Sequence, residues 1–157
     1  MLSVIWQSAE LCFATDARLV VEVLPPLAFR PVPAAPGWVR GLFSHRGRLI
    51  PLVDAARLLD QPVVPDRMAN RVLVVRCSPG PDHVPWTAGL WVHSILEIDR
   101  IDFDQPGSHP GLATGAGRFL GAIAQTRWGQ VQLVEPRELF TPEQAAVLAD
   151  RLKEAAA

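Results

Sequence analysis

The sequence predicts a mainly β protein, built as two small barrels around one shared core and finished by a single C-terminal helix. Three observations predict it. Short apolar runs rich in β-branched and aromatic residues are separated by turn residues, and 15 prolines in 157 residues are about twice the usual frequency. A segment near the first third of the chain is echoed near its end. The last stretch carries helix-start signals that no earlier segment shows together.

The runs SVIW, LCF, VVEVL, RLIPLV, RVLVVRC, TAGLWV and QVQLV read as strands in chain order, each bounded by Gly, Pro or polar residues. Between the second and third, ATDARLV admits one helical turn, with Thr15 or Asp16 as its cap. The closing helix is expected over about 142–154. Thr141 is a natural N-cap, Pro142 suits the first helical position, and Gln144 stands where a capping box needs an amide. Ala145, Leu148, Ala149 and Leu152 then form one apolar stripe.

The echo sets WVRGLFSHRGRLIPLVDAARLL (Trp38–Leu59) beside FLGAIAQTRWGQVQLVEPRELF (Phe119–Phe140) at a constant spacing of 81 without a gap. Trp38 meets Phe119, Leu42 meets Ile123, Arg46 meets Arg127, and Leu52–Val53–Asp54 meets Leu133–Val134–Glu135. AELCF (Ala9–Phe13) similarly echoes AGLWV (Ala88–Val92). Each copy is too small to bury much surface alone, so a shared interface must supply the main core. Residues 1–157 are therefore read as one domain of two intertwined subdomains.

Composition narrows the function. The formal net charge of −1 gives no overall pull toward nucleic acid or an anionic membrane. Cys12 and Cys77 lie inside apolar runs and read as reduced, buried thiols. Met1 leads directly into LSVIW without a basic leader, and no apolar run approaches the roughly 20 residues that span a bilayer. The expectation is a soluble cytoplasmic protein without direct membrane insertion.

Catalytic and metal motifs fail on spacing. The Gly-rich stretch Gly111–Gly121 lacks the Lys-Ser/Thr pair of a phosphate loop. Asp99, Asp102 and Asp104 lack the alternation and central glycine of a calcium loop, and read as a solvated strand edge. His45, His83, His93 and His109 show no zinc spacing. Ser44 and His45 are adjacent, so in an extended chain they point apart, and no nucleophile elbow surrounds them. No catalytic residue, cofactor or metal is expected. A degenerate nucleotide-binding enzyme and a self-assembling barrel scaffold remain as alternatives.

What stands out is the basic turn in GLFSHRGRLIPLVD. Gly41 and Gly47 permit tight backbone geometry around Arg46, whose planar fork can reach a carboxylate or carbonyl on another molecule. A structural salt bridge is the equal alternative.

The stretch VVEVLPPLAFRPVPAAPGWVRGLFSHRGRLIPLVDAARLL resembles the signature region of CheW-like domains, the adaptors of bacterial chemosensory arrays. The matching residues are Val20, Glu22, Val23, Pro36, Trp38, Gly41, Arg46, Gly47, Ile50, Pro51, Val53 and Asp54. TAGLWVHSILEI and the segment from Phe119 extend the likeness over nearly the whole chain. The resemblance implies two five-stranded SH3-like barrels and a non-catalytic role. It implies coupling of a chemoreceptor's cytoplasmic tip to the regulatory domain of a CheA-type histidine kinase, at membrane-associated arrays. It also implies that Arg46, Val20 and Glu22 face the receptor, with Gly41 and Gly47 as structural turn residues. Ser44-His45 stands where the family often has Asn-Leu, His93 where many members have Asp, and Ala122 where a glycine is usual. These departures suggest a specialised paralogue serving surface sensing, pilus motility or second-messenger synthesis, with His45 retuning receptor choice.

Overall fold

The computed structural model describes residues 1–62, 66–77, 86–105 and 117–156. Ten strands run along it: β1 (Leu2–Ser8), β2 (Leu11–Asp16), β3 (Val20–Leu24), β4 (Val39–His45), β5 (Arg48–Asp54), β6 (Arg71–Cys77), β7 (Trp86–Val92), β8 (Ser94–Arg100), β9 (Leu120–Thr126) and β10 (Gly129–Val134). The turn foreseen in ATDARLV is a 3-10 turn at Ala17–Leu19, capped by Asp16, which accepts from the Arg18 N–H. Thr15 instead accepts the buried indole N–H of Trp6 at 3.1 Å.

The strands form two five-stranded sheets, ordered β8-β1-β2-β10-β9 (sheet I) and β3-β6-β7-β5-β4 (sheet II). Neither is a closed barrel, which corrects the expectation of closure. Among the described residues, β8 does not pair with β9, nor β3 with β4. Only the Arg30–Leu42 bridge, among the described residues, extends sheet II beyond β4, with both its hydrogen bonds at 2.8 Å. The sheets are SH3-like in strand number and curl but keep an open seam between their edge strands.

The two sheets have one plan. Each contains three antiparallel pairings and one parallel pairing, β2 with β10 in sheet I and β7 with β5 in sheet II. The hairpins β4–β5 and β9–β10 stand 81 residues apart, and each is tied by an equivalent backbone bond. Asp54 N–H donates to the Trp38 carbonyl at 2.8 Å, and Glu135 N–H to the Phe119 carbonyl at 2.7 Å. The echo of β2 in β7 needs a correction of register. Leu52 pairs with Gly89 and its counterpart Leu133 pairs with Ala14, so Ala14 corresponds to Gly89. The sequence had aligned Glu10 there, a slip of four. An even slip leaves every side chain on its own face, so the apolar pattern does not report it.

The main core lies between the sheets. Trp6, Phe13, Leu73, Val75 and Leu90 meet there, together with Phe140 and Leu148 from the C-terminal region. Trp6 stacks on Phe13 at 4.8 Å between centroids, while Trp38 and Trp86 close on Phe140 at 5.1 and 4.9 Å. Full burial of such side chains contributes about 1.5–3 kcal/mol each, so the interface holds the two open sheets as one body. Smaller cores line the concave side of each sheet, around Ile5 and Val131 in sheet I and around Phe43, Leu52 and Val74 in sheet II.

A one-turn helix α1 (Ala55–Leu58) follows β5, and α2 (Pro142–Ala156) ends the fold. The capping box forms in both directions: Gln144 N–H donates to Thr141 Oγ1 at 3.1 Å, and Thr141 N–H to Gln144 Oε1 at 3.0 Å. Ala145 and Leu148 bury against the main core. Ala149 is exposed, so the seated stripe is narrower than its periodicity suggested.

Candidate partner-binding site

The basic turn sits between β4 and β5. His45 pairs with Arg48, leaving a two-residue turn whose central residues both have positive φ, Arg46 at 50° and Gly47 at 78°. Two central residues with positive φ match the right-handed twist of a tight hairpin, and glycine takes the second place without steric cost. Arg46 takes the first as one of few non-glycine residues in that region, so its side chain projects from a short, twisted support.

Gly41 does not belong to this turn, which corrects its assignment as a turn residue. It lies within β4, where a Cβ would come 2.3 Å from the carbonyl oxygen of Arg30. Its requirement is close backbone approach, imposed by the Arg30–Leu42 bridge.

The turn reaches across the open seam of sheet II to the edge strand β3. Arg46 Nη2 lies 3.4 Å from Glu22 Oε2, and His45 Nε2 lies 2.8 Å from the same oxygen. Their side chains differ in exposure: 68% for Arg46, 10% for His45 and 38% for Glu22. Among the described residues this long contact is the single hydrogen bond of Arg46, so most of its five donors face solvent. The hydrogen bond from His45, more than the charge of Arg46, holds the Glu22 carboxyl below the usual carboxylate range. Ser44 is exposed on the opposite face, as alternation requires.

Val20 is not part of this cluster. Val20 pairs with Val75 and Glu22 with Val74, so Val21 is an extra residue between them, a β-bulge. Val75 faces the core between the sheets and Val74 the concave core of sheet II. The bulge thus turns Val20 toward the inter-sheet core and Glu22 toward the seam. Val23, 42% exposed, is the apolar side chain left open on this edge.

Sheet I carries the same construction. Ile95 pairs with Trp6 and Glu97 with Ile5, leaving Leu96 as the bulged residue. From the next hairpin Arg127 donates to Glu97 and stands 3.3 Å from Asp99, across the seam between β9 and β8. Ile98 is 58% exposed, in the place of Val23. This second seam was missed in the sequence, where Asp99 read only as a solvated edge. The available signal was ILEI (Ile95–Ile98) repeating VVEV (Val20–Val23) at a spacing of 75.

The remaining chemistry is sparse. Cys12 and Cys77 are free thiols, and burial pushes both pKa values up, away from nucleophilic or metal-binding use. Among the described residues, no group of His, Cys, Asp or Glu is arranged to hold a metal ion. No helix among them is long and apolar enough to cross a membrane. His83, His109 and the first six residues of the Gly-rich stretch, 111–116, lie outside the described residues.

Residues 3–144 match the CheW-like domain family. The chain is similar to Protein PilI of Pseudomonas aeruginosa, with 33% identity over 92 residues, 59% of this chain and 48% of that protein. It is similar to Chemotaxis protein CheW of Helicobacter pylori, with 27% identity over 89 residues, 57% of this chain and 50% of that protein. The chain thus aligns with about half the length of each relative. The crystal structure of the scaffolding protein TtCheW from Thermoanaerobacter tengcongensis has the same fold, with a TM-score of 0.76 at 23% identity over 88% of this chain and 91% of that one.

Proposed function

We propose that this chain, which belongs to the CheW-like domain family, is a non-catalytic coupling protein that binds a chemoreceptor's cytoplasmic tip and the regulatory domain of a CheA-type histidine kinase at once. The exposed, loosely paired guanidinium of Arg46 at the seam of sheet II is the observation that carries this reading. A receptor tip is a helical hairpin, whose surface offers carboxylates and terminal carbonyls. A planar fork on a stiff turn makes directional contacts to such groups and so sets register. Exposed Val23, on the other face of the same edge strand, adds apolar area along that edge. Glu22 and His45 belong to the same docking face. Val20 supports the face from behind, through the inter-sheet core.

Coupling needs no chemistry in the adaptor. If the chain binds receptor and kinase together, a change in receptor conformation alters kinase activity through differential binding alone. This reading places the protein in the cytoplasm, at receptor arrays. His45 and the other departures from the family pattern favour a pathway other than flagellar steering, such as surface sensing or pilus motility. The test is reconstitution with receptor-bearing vesicles: the kinase co-sediments with them only when this chain is added. Equal co-sedimentation without the chain would contradict the proposal.

A further inference from the structure

The two seams are an internal experiment on one arginine. Glu22 and Glu97 each stand one residue beyond a bulge on an edge strand, and Arg46 and Arg127 each reach them from the neighbouring hairpin. The outcomes differ. Arg127 donates to Glu97, stands 3.3 Å from Asp99, and lies over the Trp128 ring at 5.2 Å. Among the described residues Arg46 has only its 3.4 Å contact to Glu22.

Three positions account for the contrast. Asp99 of sheet I corresponds to Leu24 in sheet II, which packs into the concave core and offers no charge. Trp128 corresponds to Gly47, which has no side chain to stack. Thr126 corresponds to His45. The Thr126 hydroxyl is spent within its own turn, donating to the Gly129 carbonyl and accepting from the Trp128 N–H, both at 3.0 Å. It leaves Glu97 to the arginine. His45 instead reaches Glu22 at 2.8 Å, on the oxygen that Arg46 approaches only to 3.4 Å. A carboxylate oxygen already engaged by one close donor attracts a second less, and the largely buried imidazole is the better placed of the two.

We infer that His45 is a positioning residue: it occupies Glu22 and so keeps the Arg46 guanidinium available for a partner's carboxylate or carbonyl. The inference rests on the reading of Arg46 as partner-facing. An arginine tied as Arg127 is must surrender its internal bonds before making external ones, and its gain on binding shrinks accordingly.

The test grafts the second seam onto the first. A double-mutant cycle of Arg46→Ala and Glu22→Ala, read from urea midpoints, measures their coupling without any partner. Coupling is expected to be small with His45 present and to grow severalfold when His45→Thr is combined with Leu24→Asp, and to a lesser degree with His45→Thr alone. In parallel, His45→Thr should weaken binding of a soluble receptor-tip fragment by about tenfold, and should cause no further loss in an Arg46→Ala background, as a residue acting through the arginine requires. Unchanged coupling and unchanged affinity in His45→Thr would overturn the inference. If Arg46→Ala itself left affinity intact, the reading of the site would fail instead. The coupling cycle would still decide whether His45 governs the arginine.

Discussion

Arg46 and Glu22 face each other across the open seam of sheet II at 3.4 Å, while His45 holds the same carboxylate oxygen at 2.8 Å. The glutamate therefore belongs first to the histidine. Its titration reports that order. The Glu22 carboxyl, followed by carbon-detected NMR, is expected to titrate below the 4.5 typical of a free glutamate. His45→Ala should move the midpoint up further than Arg46→Ala does, because the hydrogen bond from His45 is the larger cause. A larger response to Arg46→Ala would reverse the assignment.

Gly41 allows the segment through Arg30 to approach β4. A Cβ at this position would lie 2.3 Å from a backbone oxygen and 3.0 Å from the Phe29 ring, and the backbone oxygen cannot swing aside. Gly41→Ala is expected to destabilise the protein by about 1–3 kcal/mol in urea unfolding, as overfilling a tight site does. Gly37→Ala, with nothing within 4 Å of the added atom, serves as the control and should change stability little.

His93 knits the sheets where the chain passes from β7 to β8. Its N–H donates to the Gln7 carbonyl at 3.0 Å, its carbonyl accepts from Asn70 Nδ2 at 3.1 Å, and its ring Nδ1 accepts the Ala9 N–H. Nδ1 cannot accept that bond once protonated. Burial lowers the His93 pKa below 6.5, with nearby Arg67 adding to the effect and Asp54 opposing it. The unfolded chain therefore binds a proton that the folded one refuses, and stability falls as pH drops below about 6.5, until the folded pKa is passed. The melting midpoint should decline between about pH 7.5 and about pH 5.5, and His93→Gln should flatten that decline. An equal slope in the variant would remove His93 as the cause.

The capping box at Thr141 and Gln144 satisfies two N-terminal donors of α2. Thr141→Ala is expected to cost about 1 kcal/mol by urea unfolding, and Thr141→Ser to cost far less. Because Leu148 of α2 is buried in the main core, the loss should appear as a shift of the single global transition.

Much of this was legible in the residues because local chemistry determined it. The helix start at Thr141, the turn capped by Asp16 and the alternation of Ser44 with His45 all depend on neighbours within a few positions. So does the strand character of VVEVL and RVLVVRC. The mainly β class and its duplicated plan showed in patterning that recurs along the chain. Strands β4, β8 and β9 were not among the runs read as strands, because glycine and charge interrupt them. The rest depended on long-range placement. No residue type marks the bulge at Val21, so two residues of one motif, Val20 and Glu22, could not be assigned to opposite faces. Gly41 looked like a turn glycine because the approach of Arg30 is invisible until the fold brings it there. Barrels were expected from short strands punctuated by Pro and Gly, yet the seams are spanned by side chains where a backbone ladder would close a barrel.

The most direct measurement is the affinity of a soluble receptor-tip fragment for the protein and for Arg46→Ala, by isothermal titration calorimetry, with melting curves recorded on the same samples. The intact chain should bind saturably, and the variant should bind at least about tenfold more weakly with an unchanged melting midpoint, since the lost side chain is exposed and thinly bonded. Undiminished affinity, above all with a lowered melting midpoint, would show that this arginine serves its own fold rather than a partner.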